Sequence, residues 1–465
     1  MTLLEIILFA LTTVLIYNYV FGSIVSRTKI IRLIPIAGIV LILHFIMEGY
    51  RIQMIPAYLL FAITAISYIY SHYRYSQLSS GENSKMWKRM TVGILGTLSI
   101  AAVFFVTFYL FPIVKLKEPT GPYAVGTVDY HWVDPERKET FTSDPNDLRQ
   151  IMVRAWYPAE LTEDAVKAPY AYETDVIKQI RKNETSLKDR ILVQSLEKAK
   201  NYSYTNIPIS NEEEQYPVLI MSPGYGLSHF MYSSMIENLA SHGYIVFSID
   251  HTYYTDLPTV FPDGMMSEGQ VEIDLDMDID EEIKVWIGDA LLAIENIHKL
   301  AENDPHHIMT GKLDTSRIGM LGHSLGGAVV AQIMHHHAKL DAGVNMDGFL
   351  FGTPIENGLN NPFLFMRGSE EADAGVPPEE LPQDMIELIE EDKKRTQGVL
   401  KNGGQLVVLE EADHDSYSDI MLYSPLLTER NPHLLDEINE ILLEFFNKNV
   451  KATNPTTTLL DTRKK

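Results

Sequence analysis

The segment Gly322-His323-Ser324-Leu325-Gly326 sets one serine between two glycines. An apolar run, Ile318 to Leu321, ends there, and a small-residue run that reads as a helix, Gly326 to His337, begins. A serine at that junction is either a turn residue or a nucleophile. On a tight strand-to-helix turn, small residues two before and two after the serine let strand and helix approach closely, and Gly322 and Gly326 meet that need. The helix N-terminus behind Ser324 adds a favourable dipole, and its free N–H groups, that of Leu325 first, can bind a developing oxyanion. The chemistry implied is attack of a serine hydroxyl on an acyl carbonyl.

A serine hydroxyl alone is a weak nucleophile; it needs a base within hydrogen-bond reach and an acid to orient that base. Around such a turn both should follow the serine in chain order, each just after a strand. The strand-like run Ala342 to Met346 ends at Asp347, and the run Gln405 to Leu409 leads into EEADHDSYSD, which carries His414. Ser324, Asp347 and His414 therefore form the candidate triad. Glu370, Glu371 and Asp373 follow the run Pro362 to Met366, another usual place for the acid, and compete with Asp347. His323, beside the serine, points elsewhere in such a turn and reads as structural. A second oxyanion donor is expected after the first parallel strand, where SPGYGLSHF flanks Tyr225 with Gly224 and Gly226.

Positioning these groups requires a sheet. Tyr123 to Val133 and Arg149 to Tyr157 read as an opening antiparallel pair. Pro217 to Ser222, Tyr244 to Asp250, Ile318 to Leu321 and the three later runs are short and apolar. They alternate with helical patterns at 230–242, 281–300, 326–337 and 432–447. That alternation implies a mostly parallel central sheet with helices on both faces, the α/β-hydrolase fold once the serine turn is added. The catalytic domain is expected over residues 118–450. Residues 160–205, charged and helical in pattern, read as an insertion: a cap over a site or a solvated surface excursion. Residues 451–465 read as a flexible tail.

The first quarter differs. Apolar stretches at 3–22, 30–47, 54–70 and 91–114 predict an all-α, four-helix transmembrane domain over residues 1–117, because a span takes about 20 apolar residues. The second stretch is marginal and must accommodate Arg32 and His44. The loops after spans one and three carry Arg27, Lys29, Arg32, Arg74, Lys85, Lys88 and Arg89, whereas the opposite side has only Arg51, Lys115 and Lys117. Basic loops stay in the cytoplasm, so the domain after span four is expected outside it. Removing the ten basic and three acidic residues of 1–117 from totals of 38 and 62 leaves 28 and 59, a net of −31 for residues 118–465. So acidic a domain will not grip nucleic acid.

Six segments together resemble the platelet-activating-factor acetylhydrolase family of α/β-hydrolases. GPYAVGTVDY and VRAWYPA are similar to that family's first strands, and SPGYGLSHFMYSSMIENLASHGYIVFSIDH to its oxyanion loop, helix and next strand. GHSLGGA is similar to its elbow, and VNMDGFLFG and EADHDSYSD to its acid and base segments. The resemblance implies Asp347 as the acid, since the family draws it from the strand after the elbow helix. It also implies a carboxylic ester substrate, with short-acyl phospholipid esters one class. An acyltransferase working on an envelope acceptor would use the same groups, and a non-catalytic membrane assembly protein with a retired hydrolase domain is the alternative of another kind. The N-terminal quarter, the 160–205 insertion and the acidic loop before Glu281 lie outside the resemblance.

Other signals carry less. The alternating Asp274, Asp276, Asp278 and Asp280 lack the glycine of an EF-hand loop, where Ile279 stands. His335 to His337 end a helix, where positive charge is favoured. With no cysteine, no disulfide or thiolate chemistry is available. Neither a Rossmann fingerprint nor a P-loop is present, so no cofactor and no metal are expected.

Overall fold

The computed structural model describes residues 2–21, 31–75, 86–267, 269, 278–337, 339–368, 383–428 and 431–452. The loops 22–30 and 76–85, the acidic stretch 270–277, the alternative acids Glu370, Glu371 and Asp373, and the tail from 453 lie outside the described residues. The chain divides into two compact units. The first holds Met1–Val114, Thr174–Lys198 and Tyr423–Leu427; the second holds the rest.

The second unit is built on a nine-stranded sheet in the order β11-β10-β9-β8-β4-β5-β2-β1-β3. Its strands are β1 (Ala124–Lys138), β2 (Leu148–Ala159), β3 (Tyr204–Thr205), β4 (Tyr216–Ser222), β5 (Ile245–Asp250), β8 (Leu313–His323), β9 (Ala342–Met346), β10 (Phe363–Gly368) and β11 (Gln405–Leu409). A two-stranded hairpin, β6 (Thr259–Val260) with β7 (Met266–Ser267), stands apart. β1 and β2 pair antiparallel, as do β2 and β5, and from β5 to β11 every neighbouring pair is parallel. All residues of β4, β5 and β9 are buried, as parallel strands covered on both faces must be. Each fully buried Val, Leu or Ile there contributes about 1.5–3 kcal/mol.

Helices cover both faces. Helix α7 (Ser233–Ser241) packs with α11 (Pro432–Asn449), and α8 (Ile279–Glu302) with α9 (Leu325–His336). α10 (Gln383–Leu400) precedes β11. This is the mostly parallel α/β-hydrolase architecture that the strand–helix alternation predicts.

The first unit contains four apolar helices: α1 (Leu3–Phe21), α2 (Leu33–Met47), α3 (Ile55–Tyr75) and α4 (Met86–Phe105), the last running into a π-helical turn, Val106–Leu110. Segments Leu3–Val20, Ile52–Tyr70 and Gly93–Leu110 are long and apolar enough to cross a membrane. α2, at 15 residues, extends about 22 Å, short of a hydrocarbon core of about 30 Å. The buried charged groups inside this unit are paired, whereas the carboxamide of Gln53 is buried without a partner among the described residues. Arg51 donates to both carboxylate oxygens of Glu5 at 3.0 Å and to the Phe111 carbonyl at 3.0 Å. His44 sits 2.7 Å from Glu48 and 2.7 Å from the Tyr58 hydroxyl.

The helices of the 160–205 stretch, α5 (Thr174–Asn183) and α6 (Leu187–Glu197), belong to this first unit. The carboxamide of Gln194 on α6 accepts from Ile52 N at 2.9 Å and donates to Tyr50 O at 2.8 Å, closing two backbone groups in the turn between α2 and α3.

Candidate active site

β8 ends at His323 and α9 begins at Leu325, so Ser324 alone makes the turn. Its backbone lies at φ 53°, ψ −126°. A non-glycine residue there costs about 1–3 kcal/mol, which the flanking packing must supply. That packing is tight. A Cβ on Gly322 would come within 2.1 Å of Gly326 O, and one on Gly326 within 2.1 Å of Ser222 O. Only hydrogen fits at either position, which is why the motif spends two glycines around its serine.

The structure brings Ser324, His414 and Asp347 together from three strand ends. His414 Nε2 lies 3.0 Å from Ser324 Oγ, and His414 Nδ1 lies 2.8 Å from Asp347 Oδ2. Asp347 directly follows β9 and also has positive φ, 54°. Its Oδ1 accepts from Gly368 N at 2.9 Å. Burial would raise this carboxyl, but the bond from His414 and that from Gly368 outweigh it and hold the group below the usual carboxylate range. An ionised Asp347 keeps the proton on His414 Nδ1, leaving Nε2 free to accept from serine. The imidazole is half exposed, so a substrate can reach it. Asp413, next in chain to His414, is occupied elsewhere: it caps the following 3₁₀ turn and accepts from Thr428 at 2.5 Å.

Tyr225 and Leu325 supply the candidate oxyanion donors. Leu325 opens α9, where its N–H has no intrahelical acceptor. Around Tyr225, Gly224 N donates to Tyr232 Oη at 2.9 Å, Gly226 N to Tyr254 O at 2.9 Å and Leu227 N to Gly224 O at 3.0 Å. The Tyr225 N–H between them takes no acceptor among the described residues. The backbone thus offers one unspent donor on each side of the serine.

His323 is structural in a specific way. Its Nδ1 lies 2.8 Å from Tyr232 Oη and its Nε2 2.8 Å from His414 O. Burial, then the neighbouring His414, depress its pKa to about 3, so it stays neutral. Neutral, with the proton on Nε2, it donates to the His414 carbonyl and accepts from Tyr232. One chain of bonds therefore runs from Gly224 in the oxyanion loop, through Tyr232 and His323, to the backbone of the base. The sequence contained no spacing signal for Tyr232; its role follows from the 3₁₀ turn His229–Tyr232, just before α7, bringing its hydroxyl to His323 at the end of β8.

Among the described residues no group of three or more His, Asp or Glu could hold a metal ion. His335 to His337 are exposed at the end of α9. Asp280 accepts from Gly352 N at 2.6 Å, which ties the start of α8 to the loop after Asp347.

The family profile described as platelet-activating factor acetylhydrolase, isoform II, matches residues 109–287 and 289–372, more than half of the chain. A probable 1-alkyl-2-acetylglycerophosphocholine esterase of Arthroderma benhamiae is 28% identical over 256 residues, covering 52% of this chain and 61% of that one. The platelet-activating factor acetylhydrolase of Cavia porcellus is 25% identical over 177 residues, 33% of this chain and 40% of that one. The matches thus span less than two thirds of these relatives' lengths. Among solved structures, a ferulic acid esterase from Streptomyces cinnamoneus superposes with a TM-score of 0.60 at 22% identity, covering 75% of this chain and 96% of that one, a likeness of fold. Strand order, elbow and profile agree: the chain belongs to the platelet-activating factor acetylhydrolase isoform II family.

Proposed function

We propose that this protein is a membrane-anchored serine hydrolase of carboxylic esters. The observation that carries the reading is the continuous array Ser324 Oγ to His414 Nε2 (3.0 Å) and His414 Nδ1 to Asp347 Oδ2 (2.8 Å), on a strained turn at a helix N-terminus. Ser324 Oγ attacks the ester carbonyl as its proton passes to His414 Nε2. Asp347 holds the imidazole in place and stabilises the imidazolium that forms. The N–H groups of Tyr225 and Leu325 receive the oxyanion. His414 then protonates the departing alcohol, the C–O bond breaks, and an acyl-enzyme remains. Water, deprotonated by the same imidazole, releases the acid and restores the serine.

The named activities of the fungal and guinea-pig relatives support short-acyl phospholipid esters as the substrate class. Helices long enough to span a bilayer would hold the site near such lipids. The distribution of basic residues favours the hydrolase unit lying outside the cytoplasm.

A fluorophosphonate probe should label the folded protein at Ser324 and abolish turnover of short-acyl esters. Ser324→Ala should lose the label and about 10⁴-fold or more of kcat while keeping its circular dichroism spectrum. Wild-type protein that takes no label and cleaves no ester sinks the reading.

A further inference from the structure

A second serine–histidine–aspartate array lies inside the hydrolase unit. Ser222, the last residue of β4, places Oγ 2.9 Å from His251 Nε2, and His251 Nδ1 lies 3.0 Å from Asp289 Oδ2. All three side chains are buried, at 2% exposure or less, so no ester can reach Ser222 and the array cannot turn over substrate. Asp289 accepts from Arg149 Nε at 3.0 Å, Arg149 Nη2 at 2.6 Å and Arg137 Nη2 at 2.9 Å. Those charges outweigh burial and keep Asp289 ionised. An ionised acceptor fixes the proton on His251 Nδ1 and leaves Nε2 to accept from the Ser222 hydroxyl. Burial, opposed by Asp289, keeps the ring neutral.

This array touches the oxyanion loop by two routes. Along the chain, Ser222 stands three residues before Tyr225, and its carbonyl packs against Gly326 of the elbow. Through space, the His251 ring stacks on Trp286 with centroids 4.0 Å apart and planes at 21°. Trp286 in turn runs parallel to the Tyr225 ring, 6.3 Å away at 8°. Tyr254 meets both rings edge-on, at 5.5 Å and 5.8 Å. Trp286 and Asp289 are three residues apart on α8, the spacing that puts both on one face. Trp286 Nε1 and Tyr225 Oη are buried without a hydrogen-bond partner among the described residues. Ring packing against His251 therefore seats this stack, and side-chain hydrogen bonds at its far end do not.

We propose that Ser222, His251 and Asp289 are positioning residues for ester cleavage. Their closed hydrogen-bonded array seats the Trp286–Tyr225 stack and so aims the Tyr225 N–H at the oxygen of the tetrahedral intermediate. The inference rests on the reading of Ser324 as the nucleophile. It assigns a catalytic consequence to an array that never meets substrate.

The test compares full-length wild type with Ser222→Ala and His251→Phe in detergent, using p-nitrophenyl acetate as substrate and a trifluoromethyl ketone as oxyanion-forming inhibitor. One oxyanion donor contributes about 10²–10³-fold to kcat, and a misaimed donor forfeits part of that. Expected is a fall in kcat of roughly 10- to 100-fold, with KM within about twofold. The pH–rate profile should keep its shape at a lower plateau, and ketone affinity should weaken by the same factor as kcat/KM. His251→Phe keeps a ring on Trp286 and serves as the larger perturbation; Ser222→Ala removes one hydroxyl and serves should the first not fold. Either folded variant keeping wild-type kcat and ketone affinity overturns the inference. So does a loss explained entirely by a smaller fraction of fluorophosphonate-titrated sites. Wild-type protein without label or turnover would remove the esterase reading and this inference together, an outcome distinct from both.

Discussion

Asp347 is where a single atom decides the chemistry. Asn in its place would present an N–H₂ or a weaker oxygen to His414 Nδ1 and favour the tautomer that cannot accept from Ser324. Asp347→Asn should cut kcat by about 10⁴-fold with an unchanged melting temperature; steady-state kinetics beside a thermal melt checks it, and near-normal activity would reassign the acid. Two other buried carboxyls store pH sensitivity of stability. Glu237 accepts from the N–H groups of Tyr202 and Ser203, and Asp419 from Ser234 N and the Tyr170 hydroxyl. Burial raises both to about 7, against ordinary values of 4.5 and 3.8, with nearby Lys167 opposing the shift at Glu237 and Glu237 itself adding to it at Asp419. The folded state then holds protons that the unfolded state has already released. Their contribution is complete below pH about 4 and is lost as pH rises toward and through 7. Melting temperature should therefore fall from pH 5 to pH 8, and the double variant Glu237→Gln/Asp419→Asn, which mimics the protonated forms, should flatten that slope. An unchanged slope would count against the raised values.

At the scale of elements, the strand–turn–helix of β8, Ser324 and α9 holds its strain at a single residue, Ser324. A methyl at Gly326 would press backbone on backbone at Ser222 and Pro223, with no side chain free to move aside. Gly326→Ala should lower stability by about 1–3 kcal/mol and abolish labelling of Ser324; a labelled, wild-type-stable variant would show that the turn has slack. These elements were legible because their patterns are local: β4, β5 and β9 are short, mostly apolar runs, and the glycine spacing around Ser324 has a direct steric cause. Tyr225 and His414 could be placed because each sits just past such a run. Other parts were not legible, and for physical reasons. α10 buries Asp392 and Thr396 beside Val399, so it carries little apolar stripe to read. Asp392 earns its burial by accepting from Leu350 N and Arg367, partners distant in sequence. Ser222, His251 and Asp289 escaped notice because their meeting depends on three separate elements, and nothing in their spacing advertises it. Residues 174–198 looked like a solvated or capping excursion because their burial, at Ile177, Ile180, Ile191 and Leu196, is completed within a unit whose other members, Met1–Val114 and Tyr423–Leu427, lie far from them in sequence.

For the whole molecule, the proposed membrane topology decides which substrates the hydrolase unit would meet. The complete absence of cysteine makes this directly testable. Ser80→Cys in the basic loop after α3 and Asn211→Cys on the hydrolase unit would each be the sole thiol. A membrane-impermeant maleimide should label the cysteine at 211 in intact cells and the one at 80 only after permeabilisation. The reverse pattern would place the site in the cytoplasm and its substrates with it.

The path of the chain between its two units adds a constraint on biogenesis. The helical unit takes in Thr174–Lys198 and then Tyr423–Leu427, where Ser424 donates to the carbonyl of Leu110 at 2.5 Å. A ribosome must therefore deliver some three hundred residues beyond the fourth apolar helix before that unit can be completed. Cleavage at the 114–115 junction alone would not separate the two units, because two later stretches of the first would remain in the chain of the second. The two units share one interleaved chain, so they must mature, and be degraded, together.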